Sequence, residues 1–209
     1  MQNKQGFTVL ELMVGIVIFT LGFLGAYLLV NSASDASTRS RDEIIGANIM
    51  REQIELLKNL RDTNWIQFRS WNSIGLSKPI TEWDEVFLTG SYYTIQNDFS
   101  PSKTIHTAKL ANTFSSNKSA VLAAFQSTPS AIRLCTDSLG RYTHDCTLPN
   151  KKTPYASFLF IEQLITKNTS TNTPISVDRA YKVTVFFASF NKWYRLINMS
   201  TIITDWKNQ

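Results

Sequence analysis

The stretch Leu12–Val30, LMVGIVIFTLGFLGAYLLV, determines how this chain is organised. It contains 19 residues without a charged side chain, and Thr20 is its one clearly polar member. As an α-helix it would extend roughly 28 Å at about 1.5 Å per residue, close to the hydrocarbon thickness of a bilayer. No other apolar run in the sequence approaches this length. The stretch therefore predicts a single membrane-spanning helix.

The remaining composition is that of a folded domain. The chain has 209 residues, of which 43% are hydrophobic and 18% charged, and its mean hydropathy of −0.12 excludes a multi-span membrane protein. Two cysteines are too few for a disulfide-dense miniprotein. The net charge is +5, from 21 Lys and Arg against 16 Asp and Glu. Because the basic residues are scattered singly, this charge is weak evidence for nucleic-acid binding.

A cleaved secretory signal is the alternative explanation for an apolar N-terminal segment. Such a signal has a basic start, an apolar stretch of about 7–15 residues and a small-x-small cleavage site. Here Lys4 is the single basic residue before the stretch, and the stretch is longer. Glu11 also lies close to its start, where a carboxylate in lipid is unfavourable unless an opposite charge partners it. We therefore favour a retained span with a functional acid.

The residues that precede the apolar run carry a family resemblance. The segment Lys4-Gln5-Gly6-Phe7-Thr8-Val9-Leu10-Glu11 resembles the processing motif of type IV prepilins and pseudopilins. The resemblance implies that a membrane-embedded prepilin peptidase cleaves between Gly6 and Phe7 and then methylates the new amino group of Phe7. It also implies that Glu11, the fifth residue of the mature chain, meets the N-terminal ammonium of a neighbouring subunit during assembly.

The resemblance implies a filament subunit rather than an enzyme, and the long, Trp-rich globular part favours a minor pilin or pseudopilin. The expected partners are other pilin or pseudopilin subunits, the prepilin peptidase, an inner-membrane assembly platform and the lipid bilayer. The resemblance places the N-terminus in the cytoplasm and the globular domain outside, although Arg39 and Arg41 after the span do not favour this orientation. The competing hypothesis is a single-span anchor that displays a binding or adhesin domain and never enters a filament.

Downstream of the span, the periodicity predicts an α+β fold. Apolar residues recur every three or four positions from Ala47 to Leu60, namely Ala47, Met50, Ile54, Leu57 and Leu60. We expect one helix from about Phe7 to about Asn64, whose second half lays this apolar stripe on an antiparallel sheet. A short helix is expected at Ala120–Gln126.

The sheet is expected to have four or five strands, because period-two alternation marks five segments. These are Tyr92–Phe99, Ala131–Thr136, Tyr155–Ile165, Ala180–Phe190 and Trp193–Ile203. We expect polar connecting passages at Ser100–Ser119 and Thr166–Asp178, and a two-residue hairpin turn at Asn191-Lys192.

These assignments divide the chain into five parts. They are a leader peptide (1–6), the span or filament-core half of the helix (7–30), its amphipathic half (31–65), an irregular connection (66–90) and a β-rich globular domain (91–209).

Cys135 and Cys146 are separated by ten residues that include a Gly-containing turn. Outside the cytoplasm, such a pair favours a disulfide. Two independent buried thiols are the alternative, followed by metal or redox chemistry. The spacing fits neither a C-x-x-C redox motif nor a zinc pair.

The sequence contains no catalytic or cofactor-binding motif of the H-E-x-x-H, G-x-S-x-G, P-loop or G-x-G-x-x-G type, and we expect no cofactor and no metal. His106 is expected in a polar loop, and His144 at the surface or in a turn. Four aromatic residues with basic neighbours form a candidate nucleic-acid surface: Tyr92, Tyr93, Trp193 and Tyr194. Ordinary strand packing is the favoured explanation for them, so nucleic acid remains an unsupported partner.

Overall fold

The computed structural model describes residues 8–74, 86–97, 105–167 and 173–205 and divides into two compact units, Met1–Ile44 and Ile45–Gln209. The described residues form two helices and seven strands. In chain order these are α1 (Val9–Ile66), β1 (Ser91–Asn97), β2 (Ile105–Lys109), α2 (Lys118–Gln126), β3 (Arg133–Thr136), β4 (Tyr142–Thr143), β5 (Lys151–Lys167), β6 (Pro174–Ser189) and β7 (Arg195–Thr204).

The first unit contains the N-terminal part of α1. Every side chain from Val9 to Val30 is exposed. By its length and composition, α1 is apolar enough to cross a membrane. This finding and the apolar run Leu12–Val30 fit a membrane-anchored protein.

The second unit is an antiparallel sheet that residues 45–66 of α1 cover on one face. The residues of α1 that the sheet buries recur at helical spacing: Ile49, Met50, Ile54, Leu57 and Leu60. They form one core with strand residues such as Leu159, Val183 and Val185. The structure thus has the long helix and antiparallel sheet of the expected α+β fold.

Gly46 marks a close approach between α1 and the sheet. A Cβ atom built on this glycine would lie 2.5 Å from Cδ1 of Phe187 and 2.9 Å from Cδ1 of Ile197. Both distances are shorter than real Cβ contacts, so only a hydrogen fits here without a shift of the neighbouring side chains.

Strand β5 organises the sheet. One of its edges pairs with β3 near its start, where Thr136 opposes Lys151, and with β1 further along, where Ser91 opposes Ile161. Its other edge pairs with β6, which pairs in turn with β7. Strand β2 pairs with β1, and β4 pairs with β3. All of these pairs are antiparallel.

The opposite face of the sheet carries a second apolar cluster. Val121 and Phe125 of α2 are buried against Phe158 and Ala188 of the sheet. Asn117 begins α2, because its side chain accepts a hydrogen bond from the backbone N–H of Ala120 at 2.8 Å. The short predicted helix is therefore present and begins two residues earlier than expected.

The sheet has more strands among the described residues than the four or five predicted. Strand β2 lies within the passage Ser100–Ser119, which was expected to be a loop, and β4 contains only two residues. In β2 only Ile105 is buried. An edge strand of this kind needs few apolar residues, so its sequence carries no clear alternation.

The β5–β6 hairpin is longer than predicted. Strand β5 continues to Lys167 and β6 begins at Pro174, both inside the expected polar passage Thr166–Asp178. Ile165 and Ile175 near this end of the hairpin are 63% and 45% exposed. Because this end is solvated, polar residues are tolerated and the alternation that marks a half-buried strand disappears.

The predicted two-residue turn at Asn191-Lys192 is wrong. Ser189 pairs directly with Arg195, so residues 190–194 form a five-residue connection. Phe190 stays bonded to β5, because its N–H donates to the carbonyl of Pro154, while its ring stacks on Phe125 of α2 with a centroid distance of 3.9 Å instead of entering a tight turn to β7. Tertiary packing outweighs the local turn preference here.

The C-terminal end of α1 is attached to the end of the last strand. Asp205 is 4% exposed, and its carboxylate accepts a hydrogen bond from Trp65 Nε1 at 3.2 Å. The guanidinium of Arg179 lies 3.7 Å from the same carboxylate. Because the buried Asp205 carboxylate has both a hydrogen-bond donor and a nearby cation, its burial is compensated. The carboxylate therefore attaches the end of the helix to the sheet.

Helix α1 ends in a Schellman motif that has phenylalanine where glycine is usual. The N–H of Arg69 donates to the carbonyl of Asn64 at 2.8 Å, and the N–H of Phe68 donates to the carbonyl of Trp65 at 3.1 Å. Phe68 has a φ of 57°, in the left-handed region, and its side chain is 90% exposed. The motif thus contains a strained backbone without a compensating buried ring.

We expect Phe68→Gly to stabilise the protein by about 0.5–1 kcal/mol. The left-handed conformation costs L residues about 1–2 kcal/mol, which glycine avoids, but glycine loses more backbone conformational entropy on folding, and this loss offsets part of the gain. Phe68→Ala is the matched control: it removes the ring but retains the strain, and its stability should match the parent protein. Urea unfolding of the full-length protein in detergent, followed by tryptophan fluorescence, measures both. A less stable Phe68→Gly variant would contradict the assigned strain.

Candidate functional site

The first turn of α1 contains Glu11, the acidic residue predicted to matter for assembly. The backbone N–H of Glu11 donates to the carbonyl of Thr8 at 3.1 Å and lies 3.4 Å from Thr8 Oγ1. The order Thr8-x-x-Glu11 is that of a capping box, and a carboxylate in the first turn interacts favourably with the helix dipole. Glu11 therefore has a local role that our interpretation of the sequence missed, although the spacing itself was the signal.

Glu11 borders an open groove of about 390 Å³ on the surface of α1. The remaining lining residues are apolar: Leu12, Gly15, Ile16 and Phe19. A Cβ built on Gly15 would meet no atom within 4 Å. The groove is therefore an apolar surface with one carboxylate at its border, open to a neighbouring helix or to lipid.

The other residues of the predicted processing site cannot be placed. Gly6 and Phe7 lie outside the described residues. Their roles in cleavage and N-methylation remain predictions from the motif.

Cys135 and Cys146 form a disulfide with a Cα–Cα distance of 5.3 Å. It connects β3 to the residues that follow β4, and it excludes the alternative of two independent thiols. Between the cysteines, the carboxylate of Asp137 accepts hydrogen bonds from the backbone N–H groups of Leu139 and Arg141, both at 2.9 Å. The bond from Arg141 is the main cause that lowers the pKa of Asp137. The predicted turn is therefore closed by a carboxylate.

His144 lies in the bend that follows β4, as the expected turn position predicted, but its side chain is half-buried rather than exposed. Its Nε2 atom is 3.3 Å from Ser157 Oγ, and its Nδ1 atom is buried. Burial lowers the pKa of His144 from 6.5 to about 4, and the Arg133 backbone carbonyl, which favours the charged ring, opposes this shift only in part. The alternation of β5 predicted an inward side chain at Ser157, but nothing in the local sequence indicated that His144 would meet it.

The distance between Ser157 and His144 is that of a nucleophile–base pair, but a substrate has no access to the pair. Ser157 is 0% exposed, so no substrate can reach its hydroxyl. Across the described parts of the chain, no group of three or more His, Cys, Asp or Glu could hold a metal ion. The geometry therefore offers no acid–base site for a substrate at this position.

The four aromatic residues of the candidate nucleic-acid surface do not form one exposed surface: Tyr92 and Tyr194 pack against the apolar cluster that contains Phe158. Tyr93 is 1% exposed and packs edge-on against Phe87, whereas Trp193 is 62% exposed. Tyr92 packs on Phe160 with a centroid distance of 4.4 Å. His106 is an exposed residue of β2 rather than of a loop. Strand packing thus explains Tyr92 and Tyr93, as the sequence favoured.

An apolar helix long enough to span a bilayer fits a membrane-anchored protein, and a long helix with an antiparallel sheet matches a pilin-like α+β architecture. Residues 1–27 match the family model described as the prokaryotic N-terminal methylation motif, which is the prepilin-type signature of type IV pilins and pseudopilins. Comparisons with curated proteins and with solved structures find no match to this chain. The motif and the helix together support a type IV pilin-like precursor.

We expect replacement of both Cys135 and Cys146 by serine to lower the free energy of unfolding by roughly 3 kcal/mol, the entropy that closure of a ring of this size removes from the unfolded chain. Urea unfolding of the full-length protein in detergent measures the change. Reduction of the parent protein should reproduce it, and reductant should not affect the double variant. An unchanged unfolding midpoint would show that the disulfide does not constrain the unfolded chain.

Proposed function

We propose that the protein is the precursor of a minor pilin or pseudopilin, a subunit of a type IV pilus-like filament. A prepilin peptidase removes residues 1–6 and methylates Phe7. An inner-membrane assembly platform then moves α1 from the bilayer into a bundle of like helices. Before assembly the N-terminus lies in the cytoplasm and the globular domain outside, and afterwards the domain belongs to an extracellular or periplasmic filament.

The observation that carries this proposal is the match of residues 1–27 to the methylation motif, whose residues from Val9 onwards belong to an exposed apolar helix. A plain membrane anchor would need the apolar helix alone. The motif implies processing by a prepilin peptidase and assembly with other pilins, both of which require this particular N-terminus.

The groove beside Glu11 supports the proposed pairing in the filament. A carboxylate at the border of an apolar surface becomes unfavourable when a neighbouring helix displaces water from it. The N-terminal ammonium released by cleavage before Phe7 would supply the opposite charge in the low-dielectric bundle. In the isolated chain, the same carboxylate lies in the first turn of α1, where the helix dipole favours a negative charge, so Glu11 is accommodated in both states.

The alternative function is a single-span anchor for a surface-binding domain that never enters a filament. It shares the apolar helix and the folded domain. It requires neither cleavage after Gly6 nor a charge partner for Glu11, so processing and assembly distinguish the two functions.

Intact-mass measurement of the protein purified from its native host tests the processing step. We expect the mature chain to lack Met1–Gly6, which leaves 203 of the 209 residues, and to carry one added methyl group on Phe7. Gly6→Leu is the control, because a bulky side chain at the cleavage site should preserve the full precursor mass. An unprocessed parent protein would exclude the prepilin assignment.

Glu11→Ala should reduce incorporation into filaments at least roughly tenfold, since close charge pairs in a desolvated interface are coupled by about 1.5 kcal/mol or more. Thr8→Ala is the matched control: it removes the helix cap, worth about 1 kcal/mol, but retains the carboxylate. We expect Thr8→Ala to assemble like the parent protein. Immunoblots of sheared filaments and of membranes measure incorporation and total protein.

The two variants distinguish the two roles of Glu11. Equal losses in Glu11→Ala and Thr8→Ala would show that Glu11 acts through the helix start, and the charge pairing would be wrong. Absence of the processed parent protein from filaments would favour the anchored-domain alternative.

A further inference from the structure

The segment between β4 and β5, residues 144–150, is attached to the rest of the domain at its first residue, whose side chain is half-buried. This segment is called the latch segment below, and His144 is its first residue. The imidazole Nε2 lies 3.3 Å from Ser157 Oγ on β5. The same hydroxyl accepts a hydrogen bond from Gln53 Nε2 on α1, across a sequence separation of 104 residues. His144 thereby connects the latch segment to both layers of the fold.

A second set of bonds attaches the start of the latch segment to β1. The backbone N–H of His144 donates to Gln96 Oε1 at 2.7 Å, and Thr143 Oγ1 donates to the same atom at 3.1 Å. At the other side the disulfide of Cys146 fixes the segment covalently to β3. The segment can therefore open only locally, by withdrawal of the His144 ring.

The ring of His144 lines a cavity of about 20 Å³, together with Gln53 and Gln96. Nδ1 of His144 and Oε1 of Gln53 are buried, and neither has a hydrogen-bond partner among the described residues. The volume is sufficient for a single water molecule and for no larger ligand. The site can therefore satisfy a neutral imidazole, but it cannot hydrate an imidazolium as bulk water does.

Among the described residues, no carboxylate forms an ion pair with the ring. From α1, Glu52 lines the cavity, but its side chain is exposed to water, and burial of part of it raises its pKa. From β4, Tyr142 contributes a neutral phenol. From β3, Arg133 presents its carbonyl, while its guanidinium lies 4.0 Å from the centre of the Phe125 ring on the opposite face of the sheet. Asp145 is exposed.

We propose that His144 is an acid-operated latch: the neutral ring holds residues 144–150 against α1 and β5, and protonation releases them. Proton uptake places a charge in an enclosed site without a paired anion, whereas the withdrawn ring is hydrated. The disulfide limits the movement to the latch segment. The response is a local opening of the loop while the core stays folded.

The direction of the pH effect follows from the ring's two states. The ordinary pKa of 6.5 applies to the withdrawn ring and about 4 to the enclosed ring, so the open state binds the proton more tightly. The closed state therefore loses stability as the pH falls from about 6.5 to about 4. Glu52 has the opposite effect, because a carboxyl with a raised pKa in the folded state stabilises that state as the pH falls.

The test is a pH titration of the full-length protein in detergent micelles, from pH 7 to pH 4. The chain contains two histidines, so NMR of selectively labelled His resolves His144 beside the exposed His106. We expect the His144 signal to titrate well below the ordinary histidine pKa of 6.5. Hydrogen exchange of residues 144–150, corrected for intrinsic rates, should show a rise in opening of roughly 100-fold over this range, while the β5–β6 core remains protected.

Three variants complete the test. His144→Gln retains a polar side chain that does not titrate, and should abolish the pH dependence of opening. The matched control His106→Gln should retain the parent profile. Glu52→Gln should leave the direction of the effect unchanged. Should His144→Gln fail to fold, the titration of the parent protein still tests the proposal. A His144 signal that titrates near pH 6.5, or opening that does not change with pH, would overturn the proposal.

Discussion

The apolar circumference of α1 from Val9 to Val30 is the constraint on which the rest of this protein depends. Sixteen large hydrophobic side chains in this segment are between 51% and 77% exposed. At about 1.5–3 kcal/mol for each side chain buried, their removal from water is worth tens of kcal/mol. A folded domain is stable by only about 5–15 kcal/mol, so no local rearrangement could compensate for leaving this helix in water. Lipid or other apolar helices have to cover it, and both environments penalise an unpaired charge. In lipid and in the proposed filament alike, Glu11 is therefore the residue whose charge needs a partner.

The sequence predicted those parts of the fold in which burial imposes a period. The stripe from Met50 to Leu60 is buried against the sheet, and it recurs at three- and four-residue spacing because one face of a helix meets the core. Ala47, its first predicted member, is half-buried. Strands β5 and β6 were predicted where their side chains alternate between two covered faces, and their extensions were missed where the hairpin is solvated. Strand β2, an edge strand, was missed for the same reason.

What the sequence could not predict depends on contacts between distant residues. The environment of His144 is created by Gln53, which is far away in the chain and reaches it through Ser157. The position of Phe190 depends on a ring of α2, and that of Asp205 on Trp65 at the other end of the domain. For Phe190 the local pattern predicted a tight turn, which tertiary packing replaced, and for His144 it predicted a surface or turn position, of which the turn is present but the ring is half-buried. The disulfide was an exception, because ten intervening residues and a turn bring Cys135 and Cys146 together without help from distant elements.

In the proposed assembly, the globular unit can keep its fold unchanged, because its apolar core is complete without the first 44 residues. Both apolar clusters consist of residues from Ile45 onwards. A transfer of the apolar helix from lipid to a helix bundle therefore exposes none of this core. It also leaves the contact at Gly46 and the carboxylate of Asp205 intact, since both lie within the same unit. The sequence of the N-terminal segment can therefore change to suit the proposed processing and subunit contacts without affecting the domain. The sequence of the sheet, its disulfide and the His144 network is constrained by packing within the domain. This separation explains how one short motif can carry the chain's similarity to type IV prepilins while the packing of the domain's own core constrains the rest of the sequence.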